Sequence, residues 1–362
     1  MDARTWNIFQ LGFGFMLVFT GFDTQSFIEE TVLSSVSDDT GRVDEHAGYY
    51  SLSIIYAVFT VANLMSPPII AVLGAKWSMA VGGSTYVIFL ASFFYINTWL
   101  LYFTSALLGF GAALLWNGEG NYLTMNSDEK TAGRHSGIVW ALYMSSLISG
   151  GIFLTFIFDY STTHIPQATI RILYAFFAAL GVLGVITLAL LRSPLKEQLH
   201  EQPKQNHIKN LMSTFHLMLT KNMAFLAVVS LYLGMELTFW NGIYTTSLSF
   251  TRQFGANEND ILAMPLALIC GFLLGLGDSC WNTQLYSILA IEYEDQSTQA
   301  FAITRFFNAL AACAAYFSGS YLKLRFQLSI LFFGAVLAAV CFFAAERRAK
   351  KDSLDRSAAV IA

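Results

Sequence analysis

Charge is what this sequence has least of. Only 12% of its 362 residues are Asp, Glu, Lys or Arg, against roughly 25% in a soluble domain. Those few lie in short clusters between long apolar runs, which excludes an ordinary soluble chain. Cysteine is scarce too. Cys270, Cys280, Cys313 and Cys341 all fall inside apolar runs, so they read as small packing residues, with no disulfide framework. None of the six histidines stands at a zinc-like spacing from a cysteine or carboxylate. There is no phosphate-binding loop of the Walker type and no strand-to-helix dinucleotide fingerprint. No enzymatic activity and no cofactor are therefore expected. No basic stripe is present to take nucleic acid.

What the chain does have is length in apolar runs. A helix crossing a bilayer needs about 20 mostly apolar residues. Residues 49–73, 77–96, 136–158, 172–191 and 326–345 meet this with no charge at all. Residues 6–32, 99–125, 223–250, 261–291 and 301–322 meet it with one to three charges. The runs are continuous, without the alternation of a membrane β-barrel. The expected fold is an all-α membrane protein with about ten transmembrane helices, whose first partner is the lipid bilayer. The first run is too long for a cleaved leader and is expected to be a retained anchor.

Lys and Arg bias orients such a chain. One set of connections holds 14 of the 20 basic residues, among them Arg4, Lys76, Lys130, Arg134 and Arg192, and the alternate set holds Arg42, Arg171, Arg252, Lys323 and Arg325. Arg305 is the one inside a run. Both termini are therefore expected in the cytoplasm. The sequence divides into a first bundle of six helices at 1–191, a cytoplasmic linker at 192–222, a second bundle of four helices at 223–345 and a tail at 346–362. In the linker, Ile208, Leu211, Met212, Phe215, Met218 and Leu219 recur at helical spacing, as in an amphipathic helix on the membrane face.

The two halves repeat one another. Gly21-Phe22-Asp23 is matched by Gly234-Met235-Glu236. Gly109-Phe110-Gly111, Trp116-Asn117 and Tyr122 are matched by Gly275-Leu276-Gly277, Trp281-Asn282 and Tyr286. Paired bundles of this kind mark major-facilitator transporters. Asp23 precedes Trp116 by 93 positions, and Glu236 precedes Trp281 by only 45, a difference of 48. That shortfall is about two helices with short loops. The expected plan is a twelve-helix major-facilitator-like bundle with its eighth and ninth helices missing, as exon skipping (alternative splicing) would produce.

Residues 7–26 (NIFQLGFGFMLVFTGFDTQS), 109–124 (GFGAALLWNGEGNYLT) and 135–141 (HSGIVWA) resemble the first, fourth and fifth helices of the uncoordinated-93-like family, a divergent branch of the major facilitator superfamily. The resemblance implies a transporter-like fold, with members associated with potassium-channel regulation or receptor trafficking. The superfamily signature between the second and third helices normally includes an aspartate. Residues 73–78 read LGAKWS, without it, which counts against a standard proton-coupled cycle.

Ionisable groups within spans cost about 2.5–3.5 kcal/mol each at mid-helix and usually face a cavity or partner. Asp23, Glu119, Glu236 and Asp278 are such acids, and Trp116 and Trp281 share their helices. These six are the candidate residues for a small solute or cation, the aromatics through cation–π contact. The competing reading makes them packing groups. Arg305, near a helix end, is expected to snorkel or pair with a loop. Gly271 and Gly275 are expected to admit close helix contact. Pro67, Pro68 and Pro265 are expected to break or kink their helices. Two functions follow: a secondary transporter of an unidentified small solute, or a non-transporting accessory protein that regulates or traffics a channel or receptor. The topology has a direct check. Epitope tags at 37–45 and 161–167 should label on intact cells, and tags at either terminus only after permeabilisation. A tag at 37–45 that needs permeabilisation on surface protein contradicts the assignment.

Overall fold

The computed structural model describes residues 2–43, 47–157, 165–192, 207–244, 263–319 and 322–361. Among them every regular element is helical: α1 Ala3–Thr40, α2 Ala47–Ser92, α3 Thr98–Met125, α4 Ala132–Ile157, α5 Gln167–Ala189, α6 His207–Met218, α7 Lys221–Thr238, α8 Ala263–Glu292, α9 Ser297–Gly319 and α10 Leu324–Ile361. A single π-helical turn, Phe239–Tyr244, extends α7. Helices satisfy their own backbone groups, as lipid requires. Among the described residues, seven stretches are long and apolar enough to cross a membrane, with 50–92 counted once. The sequence expectation was about ten. α8 and α9 are helices of 30 and 23 residues, and α9 has Thr304, Arg305 and Asn308 along its length.

The two runs expected at 49–73 and 77–96 form α2, which is interrupted only at Gly74 (φ 76°, ψ 161°). That left-handed geometry suits glycine alone without strain. Pro67 and Pro68 lie inside α2 without breaking it, contrary to the sequence expectation. A helical proline leaves the carbonyl four residues earlier without its donor. For Pro67 that carbonyl is Asn63 O, and the Ser66 hydroxyl donates to it at 2.9 Å. Asn117 of α3 then donates to Asn63 Oδ1 at 2.8 Å and to Ser66 Oγ at 2.7 Å. Pro265 lies within the helical backbone of α8; its side chain and the residues just before Ala263 lie outside what is described.

α1 packs on α4 and α5, and α2 on α3. A polar clamp closes one end of this group. His135 bonds to Thr5 at 3.2 Å and Ser127 at 3.0 Å, and Asn7 donates to Asn126 at 3.0 Å. Beside it Arg4 pairs with Asp128 at 3.5 Å. Hydrogen bonding from Thr131 holds the Asp128 carboxyl below the usual carboxylate range.

In the second half α7 is the centre, packed on both α9 and α10. α8 is different: it leans chiefly on α4 of the first half. The linker helix is present; among its described side chains Thr214 and Leu217 are buried, while Met212 and Phe215 are exposed, as is Leu219 just beyond its end, and the side chains of Ile208 and Leu211 lie outside what is described. Residues 346–361, expected as a tail, continue α10. Residues 245–262, which hold the expected ends of two spans, lie outside the described residues, as do most of 192–206.

A Cβ at Gly234 would fall 2.9 Å from Ala311 Cβ and into the Asn308 carbonyl, so α7 and α9 touch through this glycine. Gly275, expected to make such a contact, has open space beside it, and Gly271 meets only the Tyr244 ring. Gly234→Leu should therefore destabilise purified protein by about 1–3 kcal/mol in thermal unfolding, by overpacking. Gly275→Ala should be neutral or slightly stabilising. Equal losses from both would contradict this packing.

Candidate functional site

α9 carries Arg305 from the second half onto α3 of the first. The guanidinium carbon lies 4.3 Å from the Trp116 ring centre and 5.2 Å from that of Tyr286. Its Nε and Nη2 atoms are buried and have no hydrogen-bond partner. Glu119, one turn from Trp116, is fully buried, and neither of its carboxylate oxygens has a partner. The two side chains lie within electrostatic reach of each other without forming an ion pair.

An aromatic wall surrounds this centre. Trp116 packs against Phe15 at 5.3 Å, Phe19 at 5.1 Å and Tyr143 at 5.2 Å. Trp140 spans the halves by meeting Tyr286 at 5.5 Å. Tyr86 contacts Phe19 and Phe22. Asp23 lies on the far side of these rings, half-buried, and accepts a hydrogen bond from Ser146 at 3.0 Å. Tyr56, Tyr86 and Tyr143 all lie within its electrostatic reach.

The structure divides the six sequence candidates into two groups. Asp23, Trp116 and Glu119 lie on the first half and border the interface. Glu236, Asp278 and Trp281 lie within the second half. Glu236 is buried beside Tyr232, and Asp278 is buried with Asn282 donating to it at 3.0 Å. Asp278 still faces Arg305 electrostatically. Trp281 packs on Tyr232 and Phe342, away from Trp116.

Sequence reasoning misplaced Arg305. It neither snorkels nor pairs with a loop; its stacking rings hold it at the junction of the halves. The usable signal was its being the sole basic residue inside a run, among four acids. Tyr86, Tyr143 and Tyr286 were hidden among 16 tyrosines and 32 phenylalanines. The cavity beside Arg305 is small, about 10 Å³, and is lined by Ser230, Asn282, Tyr286, Thr304 and Asn308 among others. That is room for about one water.

A family model described as "Ion channel regulatory protein UNC-93" matches residues 39–266 and 263–343. The chain belongs to the UNC-93 family. Its relatives in that family include UNC93-like protein MFSD11 of Xenopus laevis, 31% identical over 98% of this chain and 99% of the relative. Protein unc-93 homolog A of Bos taurus is 23% identical over 95% and 93%. The MFSD11 alignment runs over 444 positions and this chain has 362 residues, so at least 82 positions face no residue here (444 − 362). Among solved structures, a bacterial homologue of the iron transporter ferroportin in an outward-facing state has a TM-score of 0.65 at 12% identity, covering 96% of this chain and 100% of that one. The proton:xylose symporter XylE has a TM-score of 0.63 at 11% identity, covering 95% and 94%. These likenesses give this UNC-93 family member the major-facilitator fold, in a multi-pass membrane protein.

Proposed function

We propose that this chain binds a small solute at the junction of its two halves, in the manner of a secondary transporter. The observation that supports it most is the unpaired buried charge there. Arg305 comes from one half and Glu119 from the other, and both are held in place without a partner. Structural charges in a membrane interior are normally paired or hydrogen-bonded. Charges kept ready for a ligand are bare until it arrives. Their position between halves is where rocking-bundle transporters place substrate.

The second half is short. The positions missing relative to MFSD11 are consistent with loss of the eighth and ninth helices, between Glu236 and Trp281, where the two family-model matches meet at 263–266. α8 then rests more on α4 than on the helices of its own half. In this reading the chain inserts and binds, but does not complete an alternating cycle alone. The family description favours a second role, regulation of an ion channel.

The reading is tested by thermal unfolding of the purified protein against a panel of small solutes, followed by uptake into proteoliposomes. At least one solute should raise the melting temperature, and Asp23→Asn and Trp116→Ala should weaken that response with expression intact. Uptake by this chain should be far below that of a twelve-helix family member carrying the same solute, in which the matching Asp→Asn and Glu→Gln changes at the positions of Asp23 and Glu236 impair uptake. No response to any solute, with a channel co-purifying stoichiometrically from membranes, would favour the accessory role instead.

A further inference from the structure

The geometry points to a carboxylate as the group this site recognises: we propose that the ligand is a small organic carboxylate with an apolar or aromatic body, gripped by the Nε–Nη2 edge of Arg305. This rests on the solute-binding reading above and specifies its chemistry.

A guanidinium presents its donors as a rigid planar fork, and the side-on edge formed by Nε and Nη2 matches the two oxygens of a carboxylate. In this protein those two atoms are buried and have no partner. The guanidinium cannot shed its proton to escape the cost. Nor is it free to turn toward a partner, because it stacks on Trp116 at 4.3 Å and Tyr286 at 5.2 Å. The rings thus fix the plane of the fork while its edge has no hydrogen-bond partner.

The carboxylates nearest in charge are Glu119 of α3 and Asp278 of α8. Glu119 does not occupy the edge, since both its oxygens are bare. Asp278 accepts from Asn282 on its own helix instead. Trp116 and Tyr286 cover the faces of the fork, with Tyr143 and Trp140 packed against them, while Ser230, Asn282, Thr304 and Asn308 line the small cavity beside it. Those rings favour a ligand with an apolar body over a bare inorganic anion. The cavity at Arg305 holds about one water, so a carboxylate would enter only if the halves part.

The test is thermal unfolding and calorimetric titration of the purified full chain with monocarboxylates from acetate to 3-phenylpropionate, each beside its matched amine and alcohol. Carboxylates with a larger apolar body should stabilise the protein, and the amines and alcohols should not. Arg305→Lys, which keeps the charge but loses the fork, should weaken carboxylate binding at least tenfold, and Arg305→Gln should abolish it. Glu119→Gln should tighten it several-fold by removing a facing anion. Where Arg305→Gln does not fold, the lysine comparison decides. Binding of the amines alone, or carboxylate binding indifferent to Arg305→Lys, overturns this inference and leaves the solute-binding reading standing. Silence from every probe in all three classes contradicts both.

Discussion

A permanently charged guanidinium inside a bilayer must be enclosed by protein, and the meeting of the two halves depends on how Arg305 is enclosed. A central arginine costs about 2.5–3.5 kcal/mol on insertion scales. A desolvated cation–π contact returns about 2 kcal/mol. Two such faces, Trp116 and Tyr286, are therefore of the right size to offset that cost without a counter-ion. One ring belongs to the first half and the other to the second, so the charge is comfortable only while the halves are together.

α9 continues this contact in both directions. Toward its start, Ser297 donates to Asn121 of α3 at 3.1 Å, and the Phe301 ring fills the space over Gly120. Toward its end, Tyr316 packs against Tyr56 of α2 at 5.6 Å. Trp116, Tyr143 and Asp23 lie between these two closures. α9 thus touches the first half along most of its length. On the opposite side of the interface α8 rests on α4, a contact that comes without comparable support from α8's own half.

The sequence showed the helices and not their mutual placement. Apolar runs and the lack of charge are local properties, and the helices formed where those runs lie. The repeat of Trp116-Asn117 in Trp281-Asn282 was visible, yet the two pairs serve differently: Asn117 reaches across to Asn63 and Ser66, and Asn282 bonds back to Asp278 within its own helix. Prolines misled for a related reason. Whether Pro67 breaks a helix depends on whether another group takes over the carbonyl it orphans, and Ser66 does. Arg305 was misjudged because distance along a helix from its end says nothing about what lies opposite. One of its two stacking partners, Trp116, sits on α3, nearly two hundred positions earlier, and only folding brings them together.

The central claim is that α9 locks the halves around the Arg305 site, and cross-linking tests it most directly. In a chain with its four native cysteines replaced by alanine, Asn121→Cys and Ser297→Cys are introduced, with a protease site placed in the linker near residue 200. After oxidation in membranes and cleavage, the account predicts one full-length band that splits in two on reduction. Two fragments without reduction, from protein shown to be folded, would mean that α3 and α9 do not meet here and would contradict the account.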